Sequence, residues 1–307
     1  HPALADEKAP LSVSAQYLFY SIRAIIENYT HRYAEAYGSL KKAEGLFHKH
    51  PALFEESISA RIKTMQRKAA IACTLGKFDE ALEDIAMMRA LKTGHEKYRA
   101  LIFQNGYHQE TLIYLLTGKF SELIHKVPAF EEEYKRHTGK ISKTFELQLL
   151  QRIGQAYFIE GKYEDALEWV NKALNTTPSA FRDDVVSGIK VDEIFTHLEL
   201  GNYRLVKSKI AAAEKYLRSK DKPFKFELCL LSFLEKYIDV PDEKGRVKFL
   251  KESHHEIDGM FNNTSESIPV KYFYVNAWVE SKIKKRPLAE VLQKHEKHYK
   301  FKEQLTF

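Results

Sequence analysis

Four copies of one short pattern, a glycine followed two residues later by an aromatic, constrain this chain more than any other feature. They read GKFDEAL from Gly76, GKFSELI from Gly118, GKYEDAL from Gly161 and GNYRLVK from Gly201, at intervals of 42, 43 and 40 residues. Each glycine lies between two runs whose apolar residues recur every three or four positions. Before Gly161 these are Leu147, Leu150, Ile153, Gly154 and Tyr157; after it they are Tyr163, Ala166, Leu167, Val170, Ala173 and Leu174. That period belongs to amphipathic helices, and a glycine between two of them marks a helix end. The repeating unit is therefore predicted to be a helix, a tight turn and an antiparallel second helix. No stretch alternates with period two, so the fold class is all-α. Weaker copies are expected at HRYAEAYGSLKKA, with Tyr33 in the aromatic place, around Gly245 and around Arg286.

Small residues fit this scheme. Two antiparallel helices crossing at close range need small side chains at the crossing, and Gly154 and Ala166 supply them, with Tyr157 and Tyr163 beside them. Pro178 ends the second helix.

The run from Leu150 to Pro178 resembles the tetratricopeptide repeat, through Gly154, Tyr157, Gly161, Tyr163, Ala166, Ala173 and Pro178. The segment from Gly76 matches through Phe78, Ala81 and Ile85. The family's units are usually about 34 residues long; those here are longer and look like the extended units of certain bacterial regulators. The resemblance implies a right-handed superhelix of helix pairs whose concave face, lined by the first helices, binds a protein or peptide segment without catalysis. On this reading residues 1–14 form an extended N-terminal segment, a candidate plug for the groove. Residues 15–270 form the helical array, and residues 271–307 a basic helix pair that caps it.

A polar stripe on the first helices is the candidate partner-binding surface. It runs through Gln148, Gln151 and Gln155, one period back through Asn105, His108 and Leu112, and two periods back through Lys63, Gln66 and Ala70. One period forward it reaches Gly188, Val191 and Phe195. Side-chain amides both donate and accept, so they can pair with the backbone of an extended peptide whatever its sequence. Simple hydration of an exposed face is the plainer reading of the same residues.

Charge adds a second possibility. The formal net charge is +6. From Lys271 onward nine Lys/Arg face four Asp/Glu, so +5 of it lies in the last 37 residues. Nucleic-acid binding through Lys284, Lys285 and Arg286 is thus one alternative, and a peptide-sensing regulatory module of a larger protein is another.

No phosphate loop, nucleophile elbow or cysteine–histidine pairing is evident. Two cysteines, Cys73 and Cys229, lie in apolar helical surroundings and are expected to be buried thiols. The histidines of HKH at 48–50, HHE at 254–256 and KHEKH at 294–298 lack a convergent ligand set. The expectation is a non-enzymatic, cytoplasmic protein with no cofactor and no metal. The aromatic residues Tyr272, Phe273, Tyr274 and Trp278 are expected in the core of the last helix pair.

Overall fold

The computed structural model describes residues 7, 12–54, 57–178, 181–220, 224–262 and 272–296. Among them there is no strand, and none of the helices is long and apolar enough to cross a membrane. The chain divides into two compact units, His1–Ile113 with Glu132–Ile141, and Tyr114–Glu131 with Ser142–Phe307.

In the first unit α1 (Val13–Tyr29) packs on α2 (Tyr33–Lys49) and α4 (Ile58–Thr74) on α5 (Phe78–Arg89). The short α3 (Pro51–Phe54) bridges α2 and α4, which also touch. Helices α6 (Glu96–Leu116) and α7 (Phe120–His137) contribute residues to both units. In the second unit α8 (Lys143–Ile159) pairs with α9 (Tyr163–Thr176), and α10 (Asp183–Glu199) packs on α8, α9 and α11 (Tyr203–Arg218). Then follow α12 (Lys225–Asp239), α13 (Glu243–Asn262), α14 (Val275–Lys284) and α15 (Leu288–Glu296), each packed on its predecessor in sequence.

The turn inferred from the glycines is present at all four. Gly76, Gly118, Gly161 and Gly201 have φ of 71°, 64°, 74° and 74°. The amide after each glycine donates to the carbonyl five residues earlier: Lys77 to Ala72, Lys119 to Tyr114, Lys162 to Tyr157 and Asn202 to His197. These are the bonds of a helix closed by a left-handed residue. An aromatic residue then begins the next helix. The same bonding recurs at His31 and Lys285, with φ of 58° and 53°, through Arg32 to Glu27 and Arg286 to Ser281. The weak copies at Tyr33 and Arg286 are thus true turns of this type, without a glycine.

Gly245 is different. It lies inside α13, where its amide donates to the Asp242 carboxylate at 2.9 Å. A Cβ at this position would meet Val240 at 2.7 Å, so the glycine serves close packing at a helix start rather than a turn.

The α8–α9 crossing is as close as expected. A Cβ on Gly154 would lie 3.4 Å from the Trp169 Cβ and 3.5 Å from the Ala166 carbonyl, and Ala166 is fully buried. Ala166→Leu should overpack this crossing and cost roughly 1–3 kcal/mol, read as a lowered urea midpoint. An unchanged midpoint would mean that the crossing yields freely.

Candidate functional site

The first helices carry many polar residues, and the structure turns a large share of them inward. In the first unit Lys63 is exposed and Gln66 half-buried on α4, while Asn105 and His108 on α6 are buried. In the second unit Gln148 is half-buried, and Gln151 and Gln155 are buried on α8. Leu112, Gly188, Val191 and Phe195 are interior as well, and Ala70 is half-buried. The expected solvent-facing amide stripe therefore does not extend along α8.

The reason is a carboxylate on the neighbouring helix. Gln151 Nε2 donates to Asp192 Oδ2 at 2.6 Å, and Gln155 Nε2 to the same oxygen at 3.1 Å. Tyr274 OH donates to Asp192 Oδ1 at 2.6 Å. Burial and the charge of Asp192 push the Tyr274 phenol well above the ordinary tyrosine range, so it stays a donor. A buried carboxylate is tolerated only when donors surround it, and α8 together with the residue preceding α14 supplies them here.

Two further carboxylates act similarly. Glu199, seven residues after Asp192 on α10, accepts from Trp278 Nε1 at 2.7 Å and Lys282 Nζ at 2.6 Å. Tyr163 also bonds Glu199, and burial and that charge push its phenol upward. Glu227 on α12 accepts from Tyr272 OH at 2.8 Å and Ser187 Oγ at 3.4 Å. Tyr272, Tyr274 and Trp278 are at most 1% exposed and pack on Phe226, Phe158 and Phe195 of earlier helices rather than within the last pair, while Phe273, expected with them, is half-buried. The sequence reading missed that each needs an acidic partner for its polar edge. The seven-residue spacing of Asp192 and Glu199, which sets both on one face of α10, was the available signal.

The first unit has its own buried charges. Lys68 on α4 is 4% exposed and pairs with Glu44 on α2 and with Asp84 on α5, the latter at 2.8 Å. Burial works against the Lys68 charge, but the two carboxylates hold the ammonium above its usual range. One cation cannot neutralise two anions. Burial, opposed by Lys68 and reinforced by Glu44, pushes Asp84 up to about 6. Asp84 Oδ2 and Glu44 Oε1 are buried without a hydrogen-bond partner.

The sign follows. Between its unfolded pKa of about 3.9 and its folded value of about 6, Asp84 holds more proton in the native state. Its contribution to stability is complete below the lower value and lost as pH rises through the upper one. Asp84→Asn should remove this pH-dependent fall in urea midpoint between about pH 4 and 6. A variant whose pH profile parallels the parent's would assign the titration elsewhere.

Lys68 and Asp84 stand eight residues before and after the turn glycine Gly76. At the same offsets from Gly201 stand Glu193 and Lys209, which pair at 2.5 Å with the charges exchanged. At Gly161 the positions hold Ile153 and Trp169, both buried. One cross-helix position thus accepts either polarity or none, provided the two members agree.

Other sequence candidates resolve plainly. His48 and His50 are exposed and His254 is half-buried, whereas His295 and His298 lie outside the residues whose side chains are described. No group of three His, Cys, Asp or Glu residues is placed to hold a metal among the described residues. Cys73 is buried as expected, but Cys229 is exposed on α12, because Leu228, Leu230 and Leu231 take the inward positions around it. Of residues 1–14, only Glu7 and the start of α1 are described; Glu7 pairs with Lys42 and Arg23. The basic end is partly neutralised: Lys282 pairs with Glu199, Lys284 with Glu280 and Lys285 with Glu243.

These arrangements fasten helix to helix, with acceptors on one helix occupied by donors of its neighbours. No family model matches the chain, and no curated protein matches it in sequence.

Proposed function

We propose that the protein is a non-catalytic binding scaffold built of tetratricopeptide-like helix pairs, which engages a protein or peptide segment through its first helices. The observation that carries this reading is the recurrence of one left-handed turn at six helix pairs among the described residues. Such repetition builds a surface from equivalent positions, which suits an extended partner. The buried acids and amides of the second unit support it too, since they are engaged in holding helices together.

Gln151 and Gln155 are committed to Asp192, so the proposed partner contacts are Lys63 and Gln66 of the first unit. The test is a co-purification comparing the parent with a Lys63→Ala, Gln66→Ala variant of matched melting temperature. A defined protein retained by the parent and lost by the variant is the expected result. Equal retention by both would remove the first-helix surface from the proposal.

A further inference from the structure

Helix α11 turns Val206, Ile210, Ala213 and Leu217 into the core of the second unit. Its outward face carries Arg204, Lys207, Ala211, Lys215 and Arg218, all exposed. The spacing of three, four, four and three residues keeps them within an arc of about 80°, along roughly 21 Å of helix. The one acidic residue of α11 is Glu214, which lies off this arc and is half-buried. Lys207 pairs with Asp239 at 2.5 Å. Arg204, Lys215 and Arg218 make no ion pair among the described residues.

Two of the corresponding helices, α5 and α9, are built the opposite way. Three and four residues after the turn glycine, α5 has Asp79 and Glu80, and α9 has Glu164 and Asp165. Seven residues after it they have Glu83 and Glu168. Acids belong there, because the first turn of a helix presents unpaired amides and partial positive charge. At these positions α11 has Arg204, Leu205 and Ser208, and no acid in its first turn. A cation at a helix start opposes the local field, and a local rule broken without visible compensation inside the fold points outward.

The same end exposes apolar surface. Tyr203 is 37% and Leu205 40% exposed, with the Arg246 guanidinium 4.1 Å from the Tyr203 ring centre. Ser208, Ala211 and Ala212 are small and exposed, so a partner backbone can come close between the cations.

We infer that the outward face of α11 is a docking surface for an acidic, amphipathic protein segment. Carboxylates of that segment would lie along Arg204, Lys215 and Arg218, and an apolar side chain would rest on Leu205 and Tyr203. The aliphatic anchor beside the cations favours a protein partner over a nucleic acid, whose bases stack on aromatic faces. The inference rests on the scaffold reading and gives it a second surface with a stated partner charge.

The test uses the full chain and a labelled helical peptide bearing four Glu at the spacing of Arg204, Lys207, Lys215 and Arg218, plus one Leu. Fluorescence anisotropy should show binding that weakens with salt and falls on the order of tenfold in Arg204→Glu, Lys215→Glu, Arg218→Glu. Leu205→Asn should weaken it several-fold, and a Lys-for-Glu peptide should not bind. All variants are surface changes whose melting temperatures are checked first. Unchanged affinity in the triple variant would overturn the inference, as would equal or tighter binding of a single-stranded DNA of the same length. Salt-sensitive self-association of the parent without peptide binding would overturn it as well. Because the readout depends only on α11 variants, its failure is distinct from failure of the first-helix surface, which is read on Lys63 and Gln66.

Discussion

Lys68→Met should destabilise the first unit by about 3–5 kcal/mol, the usual penalty for removing one partner of a buried ion pair. Methionine fills nearly the same space, so the loss is electrostatic. Glu44 and Asp84 would be left facing each other, both buried, with their cation gone. Adding Glu44→Met and Asp84→Leu to Lys68→Met should recover most of the loss, because replacing a whole buried ionic cluster by apolar residues of similar volume is often close to neutral. Urea denaturation of the single and triple variants measures both. A single variant within about 1 kcal/mol of the parent would show that water reaches the cluster and screens it.

The second large effect is expected at Asp192→Leu. It strands Gln151, Gln155 and Tyr274 as buried donors, at roughly 1–3 kcal/mol for each that finds no new acceptor. The total is several kcal/mol, a large part of what holds an ordinary domain together. Tyr274→Phe alone should cost about 1 kcal/mol, and much less in the Asp192→Leu background, since the two groups share one interaction. Additive losses in that double-mutant cycle would mean that Tyr274 and Asp192 are not coupled.

The turns were legible in the sequence because a left-handed residue between two helices favours glycine, and glycine is otherwise scarce in helices. The same reasoning misplaced Gly245, where the need was space beside Val240 rather than a special φ. The core position of Tyr272, Tyr274 and Trp278 was equally readable from their bulk. The polar stripe was read only in part. A helical wheel separates the face toward one neighbour from the rest, but α8 packs on α10 as well as on α9. Gln151 and Gln155 point to the second, and a glutamine bonded to a buried aspartate has the same one-letter appearance as one bonded to water. Only the distant positions of Asp192 and Tyr274 distinguish them. Lys68 was hidden for the same reason, its partners lying 24 residues before and 16 after it in the chain.

His31 and Lys285 adopt the left-handed conformation that the four internal turns give to glycine. For a residue with a Cβ this conformation is costlier by roughly 1–2 kcal/mol, and these two turns are the first and last of their kind along the described chain. The weakest links thus lie in its terminal hairpins. Amide protons of α1 and α15 should exchange with solvent through local opening before those of α8 or α10.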